Sequence, residues 1–299
     1  MREIAIKAPA KVNTILRVLS RRPDGYHDLE MVMVSLSLAD DIDIALAPSG
    51  IELHAEGAHD SGMAGEKNLA WRAAALLAQA SGTKAGARIR LVKRIPVAAG
   101  LGGGSSDAAA VLKGLNRLWQ LGLDAEHLAA LGAKLGADVP FFCHDGPAFV
   151  EGIGDRVSPL HGFPNLSILL INPGFAVSTP WVYGQWDLQR APRATERPAL
   201  NATEGLTPNE RNARVRPLFK DLGAVVSSLH NDLEAVAIPA HPEIARIKDF
   251  LMDTGAAGAL MSGSGPTVFG VFEDAPRRDA ALGAAHGEGW RVFAADSGI

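Results

Sequence analysis

The amino-acid sequence predicts a protein of mixed strands and helices in two domains. Residues 2–56 consist mostly of short apolar runs with the alternation of half-buried strands. Residues 87–119 read as a strand, a glycine-rich turn and a helix. The last third reads as strand, glycine turn, strand, helix, strand, an order typical of an antiparallel sheet backed by helices.

The predicted domain boundary lies where Pro159, Gly162 and Pro164 cluster. Proline and glycine interrupt helices and strands, so the cluster indicates a break in regular structure. We therefore expect a first domain over residues 1–158 and a second over 159–299. A chain of 299 residues, 47% of them hydrophobic, can bury a core of that size.

The first domain is expected to begin with strands and to continue with a helix. The strand runs are Ile4–Ile6, Val12–Leu19, Leu29–Leu38, Ile42–Leu46 and Ile51–Leu53. The tight turn Arg22-Pro-Asp-Gly-Tyr26 separates two of them, because proline presets φ and glycine accepts a positive φ. Asn68 can cap a helix that runs to about Ala80 with its apolar residues on one face.

Further elements are predicted along the rest of the chain. Helices are expected near 124–135, 137–143, 213–229 and 242–254, and strands at 148–157 and 166–171. Residues 187–214 are rich in Arg, Pro, Thr and Asn and lack a clear period. That composition predicts a mobile loop.

Charge and cysteine content limit the classes of function. A net charge of −4 gives no general attraction to nucleic acid or to an anionic membrane surface, so neither is expected as a partner. No apolar run approaches the roughly 20 residues needed to cross a bilayer. Cys143 is the single cysteine, which excludes an internal disulfide and a cysteine-cluster zinc site. It favours a reducing compartment, and we expect the cytoplasm.

Residues 96–108 are the most informative segment. They read Pro-Val-Ala-Ala-Gly-Leu-Gly-Gly-Gly-Ser-Ser-Asp-Ala and lie between a strand and a helix expected over Ala108–Trp119. Glycines let backbone amides approach an anion without interference from Cβ. Ser105, Ser106 or Asp107 can cap the helix, whose N-terminus favours negative charge. The segment predicts a phosphate-binding turn, with a nucleoside triphosphate as the ligand.

Two other glycine-rich patterns do not fit. A Walker-type loop needs glycine and lysine where Ser105 and Ser106 stand. A dinucleotide fingerprint needs an acidic residue about 20 positions on, at the end of a strand, whereas Asp124 lies in a link between two predicted helices. The remaining alternative is a turn without a ligand. Three consecutive glycines cost backbone entropy that a plain turn would not need, which favours the phosphate site.

Three separated segments resemble the motifs of the GHMP small-molecule kinases. They are Ala8–Asn13, the segment 96–108 and Met261–Thr267. Arg22–Leu29 and Leu135–Phe142 resemble the signature of those members that phosphorylate 4-diphosphocytidyl-2-C-methyl-D-erythritol, a cytidine-linked methylerythritol. The resemblance covers nearly the whole chain and is weakest across 187–214.

This resemblance implies an α+β fold of two domains, with ATP and the small-molecule substrate bound in the cleft between them. It implies transfer of the γ-phosphoryl group of ATP to the 2-hydroxyl of the substrate, with Mg²⁺, in the non-mevalonate isoprenoid pathway. Phosphoryl transfer depends mostly on positioning and charge neutralisation. Such an enzyme needs an anion site, a cation, and a group that accepts or orients the proton of the acceptor hydroxyl.

Asp138 and Lys11 are the expected catalytic residues, and Asp138 is also expected to touch the substrate. Asp138 lies in an apolar segment, where an unpaired carboxylate would be costly to bury. The alternative for Asp138 is a helix cap, since Pro140 follows it. Lys11 would bring positive charge to the aspartate, the acceptor oxygen and the γ-phosphate, and close pairing would keep Asp138 ionised. The alternative is an ordinary exposed lysine, which the motif around Lys11 disfavours.

The resemblance implies ATP contacts inside and outside the glycine-rich segment. Asn68 and Lys93 match positions that approach the adenine, with a helix cap and a solvated strand lysine as the alternatives. Within the segment, the implied nucleotide-binding residues are Pro96, Gly100, Leu101, Gly102, Gly103, Gly104, Ser105 and Ser106. A serine hydroxyl would help to place Mg²⁺, Asp107 is expected to cap the helix, and the turn Ser262–Gly265 is expected to close the opposite side of the site.

The cytidine end of the substrate is expected to meet four residues. Tyr26 and His27 offer a flat ring and a mixed donor and acceptor, which fit a cytosine. Tyr183 would supply the opposite face, with Phe175 or Trp181 as alternatives, and Thr179 would touch the ligand. Asn13 either hydrogen-bonds the substrate polyol or braces Lys11.

Two other functions compete with this interpretation. Another GHMP kinase would act on a sugar, homoserine or a mevalonate-type alcohol, but the Pro-Asp-Gly-Tyr-His segment favours the cytidine-linked substrate. A non-catalytic nucleotide-binding regulator on the same scaffold would not need both Lys11 and Asp138. The nine histidines show no metal-binding spacing such as His-Glu-x-x-His, and no Gly-x-Ser-x-Gly elbow indicates a hydrolase.

Overall fold

The computed structural model describes residues 2–57, 65–190 and 207–298, and these divide into two compact units. Unit 1 takes its residues from 1–10, 38–97 and 102–145, and unit 2 from 11–37, 98–101 and 146–299. The predicted boundary near residue 158 stays a prediction. Within the described ranges, no helix has the length and apolar character needed to span a membrane.

Groups of consecutive strands and groups of consecutive helices follow one another along the described residues. The strands are β1 (Glu3–Arg21), β2 (His27–Ala47), β3 (Ile51–Gly57), β4 (Gly86–Lys93), β5 (Ala148–Gly152), β6 (Arg156–Pro159), β7 (Ser167–Asn172), β8 (His230–Asn231), β9 (Gly258–Met261), β10 (Val268–Phe272) and β11 (Arg291–Asp296). The helices are α1 (Leu69–Ser81), α2 (Gly103–Leu118), α3 (Ala125–Gly132), α4 (Val139–Cys143), α5 (Thr179–Arg190), α6 (Pro208–Val215), α7 (Leu222–Ser228), α8 (Glu234–Ala240), α9 (Glu243–Asp253) and α10 (Ala275–Ala285), with 3₁₀ turns at Arg216–Leu218 and His286–Glu288.

The β-rich start of the chain is confirmed, but the predicted runs merge into longer strands. β1 joins the runs at 4–6 and 12–19, and β2 joins those at 29–38 and 42–46. Small and polar residues interrupt the apolar alternation at these joints without ending the strand. Ala8, Ala10 and Asp40 lie at the joints and are almost inaccessible to solvent. The pleat therefore continues where the apolar pattern stops.

In unit 1, strand β4 leads directly to the glycine-rich segment. It pairs parallel with β3 and antiparallel with the second half of β2, so that Ile89 lies between Leu53 and Ile44. Helix α1 packs on α2 through small residues such as Ala70 and Ala73, which are fully buried. Because β4 is paired on both sides, it fixes the position at which the glycine-rich segment begins after Lys93.

Helix α2 begins at Gly103, five residues earlier than the sequence predicts. Its N-cap is Gly102, in the left-handed conformation with φ 70°, and no side chain caps the helix. The expected caps, Ser105, Ser106 and Asp107, are wrong because all three lie inside the first turns. Burial of the residues that follow outweighs the poor helix propensity of the glycines.

In unit 2, a four-stranded sheet of order β11-β7-β10-β9 confirms the predicted antiparallel sheet backed by helices. Helix α9 packs on β9 and β10, and α10 packs on β7 and β11. The core of this layer includes Leu169, Phe269 and Val271, all fully buried. The turn from β9 to β10 carries the second glycine-rich segment, 262–265.

The loop predicted over 187–214 is wrong at both ends. Helix α5 continues to Arg190 and α6 begins at Pro208, while residues 191–206 lie outside the described residues. Packing of Val182 and Trp186, both buried, supports α5 where the sequence period is weak. The strand predicted at 166–171 and the helix predicted after Asn68 are confirmed by β7 and α1.

Candidate active site

Lys11 is a buried lysine whose ammonium group is held by oxygen acceptors of unit 2. It lies on β1 with 3% of its surface exposed. Its Nζ donates to Asn13 Oδ1 at 2.7 Å and to the carbonyl oxygen of Gly100 at 3.0 Å. The alternative of an ordinary exposed lysine is therefore wrong. The geometry of Asn13 favours the role of a brace for Lys11, one of the two roles expected for it.

The carbonyl of Gly100 joins the two glycine-rich segments. It also accepts a hydrogen bond from Ser262 Oγ at 2.9 Å. Gly100 has φ +77°, and a Cβ there would lie 2.1 Å from the carbonyl oxygen of Ser262. Only glycine fits such a close backbone approach. The segment 98–101 and the turn 262–265 are thus packed together within unit 2, beside the ammonium of Lys11.

Asn231 holds the second glycine-rich segment, and the sequence analysis missed it. Its Nδ2 donates to the carbonyl oxygens of Met261 at 2.7 Å and Gly263 at 2.8 Å. The residue reaches them because the short strand β8 pairs parallel with β1, with Leu16 opposite Asn231. A pairing between residues more than 200 positions apart leaves no spacing signal in the sequence.

In unit 1, no side chain caps the backbone amides in the first turn of α2. The first intrahelical bond runs from the amide of Ser106 to the carbonyl of Gly102. The amides of Gly103, Gly104 and Ser105 precede it, and no side chain caps them. Such a helix N-terminus binds anions through its orphan amides and its dipole. This part of the segment therefore fits the phosphates of ATP.

Lys93 does not project into solvent but lies between two aspartates. Its Nζ donates to Asp40 and to Asp107 Oδ2, and the three side chains are almost completely buried. Asp40 also accepts from the backbone amides of Arg94 and Ile95. The alternative of a solvated strand lysine is wrong. This cluster ties the end of β4 to β2 and to the first turns of α2.

Asp107 does not cap α2 as the sequence predicts, because it lies inside the helix. Burial raises the pKa of its carboxyl to about 7, the Lys93 ammonium opposes this rise, and the Asp40 carboxylate adds to it. Two carboxyl groups thus share one ammonium in a site that is almost inaccessible to solvent. Among the described residues, Asp107 Oδ1 and the neighbouring Ser106 Oγ are buried without a hydrogen-bond partner.

Asp138 occupies the N-cap position of α4 without capping it. Its backbone is helical, and its side chain makes no cap hydrogen bond. The helix-cap alternative therefore has no support in the geometry. The turn before it approaches the first glycine-rich segment within unit 1, since a Cβ at Gly136 would lie 3.8 Å from Ser105 Oγ. The turn two residues before Asp138 thus lies close to the first turn of α2, and helices α2 and α4 pack on each other.

Asn68 caps α1, which is the alternative to a contact with the adenine. Its Oδ1 accepts from the amide of Ala70 at 2.8 Å. The side chain is half-buried at the start of a helix that packs on α2. A role beside the adenine is compatible with this bond and stays a prediction.

Tyr26 and His27 follow the predicted tight turn but have different surroundings. Gly25 has φ +88°, and Asp24 accepts from the amide of Tyr26, as expected for the Pro-Asp-Gly turn. Tyr26 is 58% exposed, whereas His27 is buried. The His27 ring stacks on Tyr183 with centroids 4.8 Å apart. Tyr183 thus lies in the same cluster as His27.

The other expected substrate residues fall into two groups of unit 2. Thr179 Oγ1 lies 2.7 Å from Ser264 Oγ, which links the start of α5 to the second glycine-rich segment. Phe175 and Trp181 both contact the ring of His241, so they form a separate aromatic cluster. This arrangement favours Tyr183 over the two alternatives as the partner of His27.

Comparison with known proteins gives one consistent family. Residues 68–146 match the model described as GHMP kinases N terminal domain, and residues 215–290 match GHMP kinases C terminal. A 4-diphosphocytidyl-2-C-methyl-D-erythritol kinase of Pelobacter propionicus is 47% identical over 99% of this chain and 100% of its own length. The corresponding protein of Geobacter metallireducens is 45% identical over 98% of each chain.

Solved structures agree with this result. A crystal structure of 4-(cytidine 5'-diphospho)-2C-methyl-D-erythritol kinase has a TM-score of 0.76 and 36% identity over 99% of this chain and 100% of that chain. A homoserine kinase from Cytophaga hutchinsonii has a TM-score of 0.73 over 100% and 95% of the two chains, but at 17% identity it shows the fold alone. Both GHMP domains and full-length relatives at 45–47% identity establish that the chain belongs to the 4-diphosphocytidyl-2-C-methyl-D-erythritol kinase family of the GHMP kinases.

Proposed function

We propose that the chain transfers the γ-phosphoryl group of ATP to the 2-hydroxyl of 4-diphosphocytidyl-2-C-methyl-D-erythritol, giving the 2-phosphate and ADP. This step belongs to the non-mevalonate isoprenoid pathway, and we assign it to the cytoplasm. The observation that carries the proposal is the buried ammonium of Lys11, bonded to the carbonyl of Gly100 within the glycine-rich segment. It supplies a fixed cation on a carbonyl of the same glycine-rich segment whose later amides would bind phosphate.

The chemistry needs a negatively charged phosphoryl group to approach a neutral alcohol. Lys11 would lower the charge on the transferred group, and Asn13 would keep the ammonium in one position. Asp138 would accept or orient the proton of the acceptor hydroxyl. Correct placement of the two reactants supplies most of the remaining acceleration.

ATP fits the first turn of α2 for a physical reason. The amides of Gly103, Gly104 and Ser105 can each donate to a phosphate oxygen, and the helix dipole adds favourable charge. The adenine would lie toward Asn68. Lys93 is already bonded to two carboxylates, so we propose that it supports the phosphate-binding turn from behind.

Mg²⁺ is the expected companion of the nucleotide. It is usually held by phosphate oxygens, water and one or two protein oxygens. The hydroxyl groups of Ser105 and Ser106 are the donors from this chain that fit such a role, and Ser106 Oγ is a buried oxygen without a hydrogen-bond partner in the described residues. When bound, the ion would neutralise charge on the phosphates.

The cytidine would be recognised by the turn after β1 and by α5. Tyr26 is exposed and can stack on a base, while His27 and Tyr183 form a fixed pair of rings beside it. Thr179 would contact the ligand from the start of the same helix. These four residues give the protein a surface for a flat nitrogenous ring, which the smaller alcohol substrates of related kinases lack.

A coupled ADP-release assay tests the function. ATP turnover should depend on the cytidine-linked methylerythritol and on Mg²⁺, with mevalonate, homoserine and galactose as competing acceptors. Preferred turnover of one of these three alcohols would overturn the proposal. Binding of ATP without turnover of any acceptor would instead support a regulator.

A further inference from the structure

His27 has a carboxylate partner that no part of the proposed function has used. Asp187 lies one turn after Tyr183 on α5, and its Oδ1 lies 2.8 Å from His27 Nε2. Its Oδ2 lies 3.5 Å from Arg21 Nε, so a guanidinium faces the other oxygen of the same carboxylate. The contact joins the first residue of β2 to a helix 160 positions further along the chain.

The contact decides which ring nitrogen carries the proton. An ionised carboxylate can only accept hydrogen bonds, so Nε2 must be the donor. In the neutral ring, Nδ1 then has no proton and can only accept. An imidazole ring can present either a donor or an acceptor at Nδ1. The contact with Asp187 makes Nδ1 an acceptor.

The rings around His27 keep that polarity in place. Tyr183 stacks on the imidazole at 4.8 Å with the planes 29° apart, and Trp186 meets its edge at 5.7 Å. Tyr183, Trp186 and Asp187 lie at helical positions i, i+3 and i+4 and so share one face of α5. A 180° rotation of the ring, which would exchange Nδ1 with Cδ2 and Nε2 with Cε1, must displace these neighbours.

We infer that Asp187 is a positioning residue that acts through His27 in the selection of the base. It favours a nucleobase with an exocyclic amino group over one with a carbonyl at the same ring position. Cytosine carries an amino group at C4, where uracil carries a carbonyl oxygen. An acceptor at Nδ1 can bond the amino group but faces the uracil oxygen with a second acceptor. This inference rests on the proposed function, because it assumes that His27 meets the base.

The experiment compares binding of CDP and UDP by calorimetry in the full chain, without turnover. The wild-type protein should prefer CDP, and D187N should reduce that preference about tenfold or more, the size expected when a polar mismatch is relieved. An amide at position 187 can donate as well as accept, so both histidine tautomers become available. D249N, at an exposed position on α9, is the matched control and should keep the wild-type preference.

Nitrogen NMR of His27 gives a readout that a purely structural role would not move. The ring should be protonated at Nε2 in the wild-type protein and in D187E, and should become a mixture of tautomers in D187N. D187E should also keep most of the preference for CDP. If D187N does not fold, H27Q replaces it in the binding test, because its amide offers either polarity and should also lose the preference.

Two results would overturn the inference. One is an equal loss of CDP and UDP affinity in D187N with an unchanged ratio, which would make Asp187 a structural residue. The other is a wild-type protein that binds CDP and UDP equally. Either result is distinguishable from failure of the proposed function, which would appear as absent turnover of the cytidine-linked substrate by the wild-type protein.

Discussion

The ammonium of Lys11 is buried with two oxygen acceptors of its own unit, and this geometry predicts the effect of removing it. Lys11→Ala and Asp138→Asn should each lower kcat, by about 10²- to 10⁴-fold for loss of the general base. Steady-state kinetics with the cytidine-linked substrate measure the effect. Near-normal kcat in a folded Asp138→Asn variant would leave Asp138 at most an orienting role.

Lys7→Ala is the matched control for the lysine. Lys7 lies on the same strand, is 72% exposed at its side chain and pairs with Asp41. Exposed ion pairs contribute little to stability. The kcat of Lys7→Ala should therefore stay close to the wild-type kcat, while the kcat of Lys11→Ala falls.

Asp107 predicts a pH dependence of stability. Burial raises its pKa to about 7, so between about pH 4 and 7 the folded state keeps a proton that the unfolded state has lost. Its contribution to stability is full below about pH 4 and is lost as the pH rises toward 7. In Asp107→Asn this decline should be absent, so the stability of the variant relative to wild type should rise by on the order of 1 kcal/mol per pH unit.

Urea unfolding at pH 5, 6, 7 and 8 measures this difference. The asparagine leaves one carboxylate, Asp40, for the Lys93 ammonium, so the buried cluster is neutral without a proton. Asp249→Asn, an exposed substitution, should differ from wild type by a constant amount. A constant difference for Asp107→Asn as well would show that its carboxyl ionises normally in the folded protein.

At the scale of elements, the turn before α2 predicts a selective loss of ATP binding. Gly102 has φ +70° and directly precedes the amides proposed to bind phosphate, so Gly102→Val strains the turn and adds a branched side chain next to those amides. Calorimetry should show weaker ATP binding and unchanged CDP binding. Gly122→Val is the control, because Gly122 has φ +68° with open space around its Cβ position and lies beyond the end of α2. Equal loss of both ligands, or unchanged ATP affinity, would contradict a phosphate role for the turn.

Ala98 predicts a gain of stability in the same segment. It has φ +52°, a conformation that costs an alanine about 1 kcal/mol or more. Ala98→Gly should therefore raise the free energy of unfolding by up to about 1 kcal/mol, after the greater entropy of glycine in the unfolded chain is subtracted. Ala130→Gly, at an exposed position of helix α3, should lower it by about 0.5–1 kcal/mol. Denaturant unfolding compares them, and a loss of stability in Ala98→Gly would contradict the strain.

At the scale of the whole molecule, Cys143 reports opening of the fold. It is the single cysteine, it is buried, and burial raises the pKa of its thiol to about 12. The native protein should therefore resist a thiol reagent, and labelling should follow the population of open molecules as urea increases. Cys143→Ala gives the background. Rapid stoichiometric labelling in the absence of denaturant would show that α4 opens without global unfolding.

Local patterns in the sequence were sufficient for the elements whose signals lie close together in the chain. The cap at Asn68, the Pro-Asp-Gly turn before Tyr26 and the β9-turn-β10 unit each depend on a few adjacent residues. The order of the motifs also predicted the family, which the comparisons confirm. Backbone preferences and turn chemistry depend on residues a few positions apart, so they can be predicted from the sequence alone.

Tertiary structure alone decided the partners of the polar side chains. The sequence predicted a helix cap at Asp107 and an ATP contact for Lys93, with a solvated strand lysine as the alternative, but the fold buries both residues beside Asp40. Likewise, pairing of β8 with β1 brings Asn231 to the second glycine-rich segment, and α5 brings Asp187 to His27. Burial and hydrogen bonding depend on residues that are distant in the chain, and a single sequence carries no local trace of which distant residues will meet.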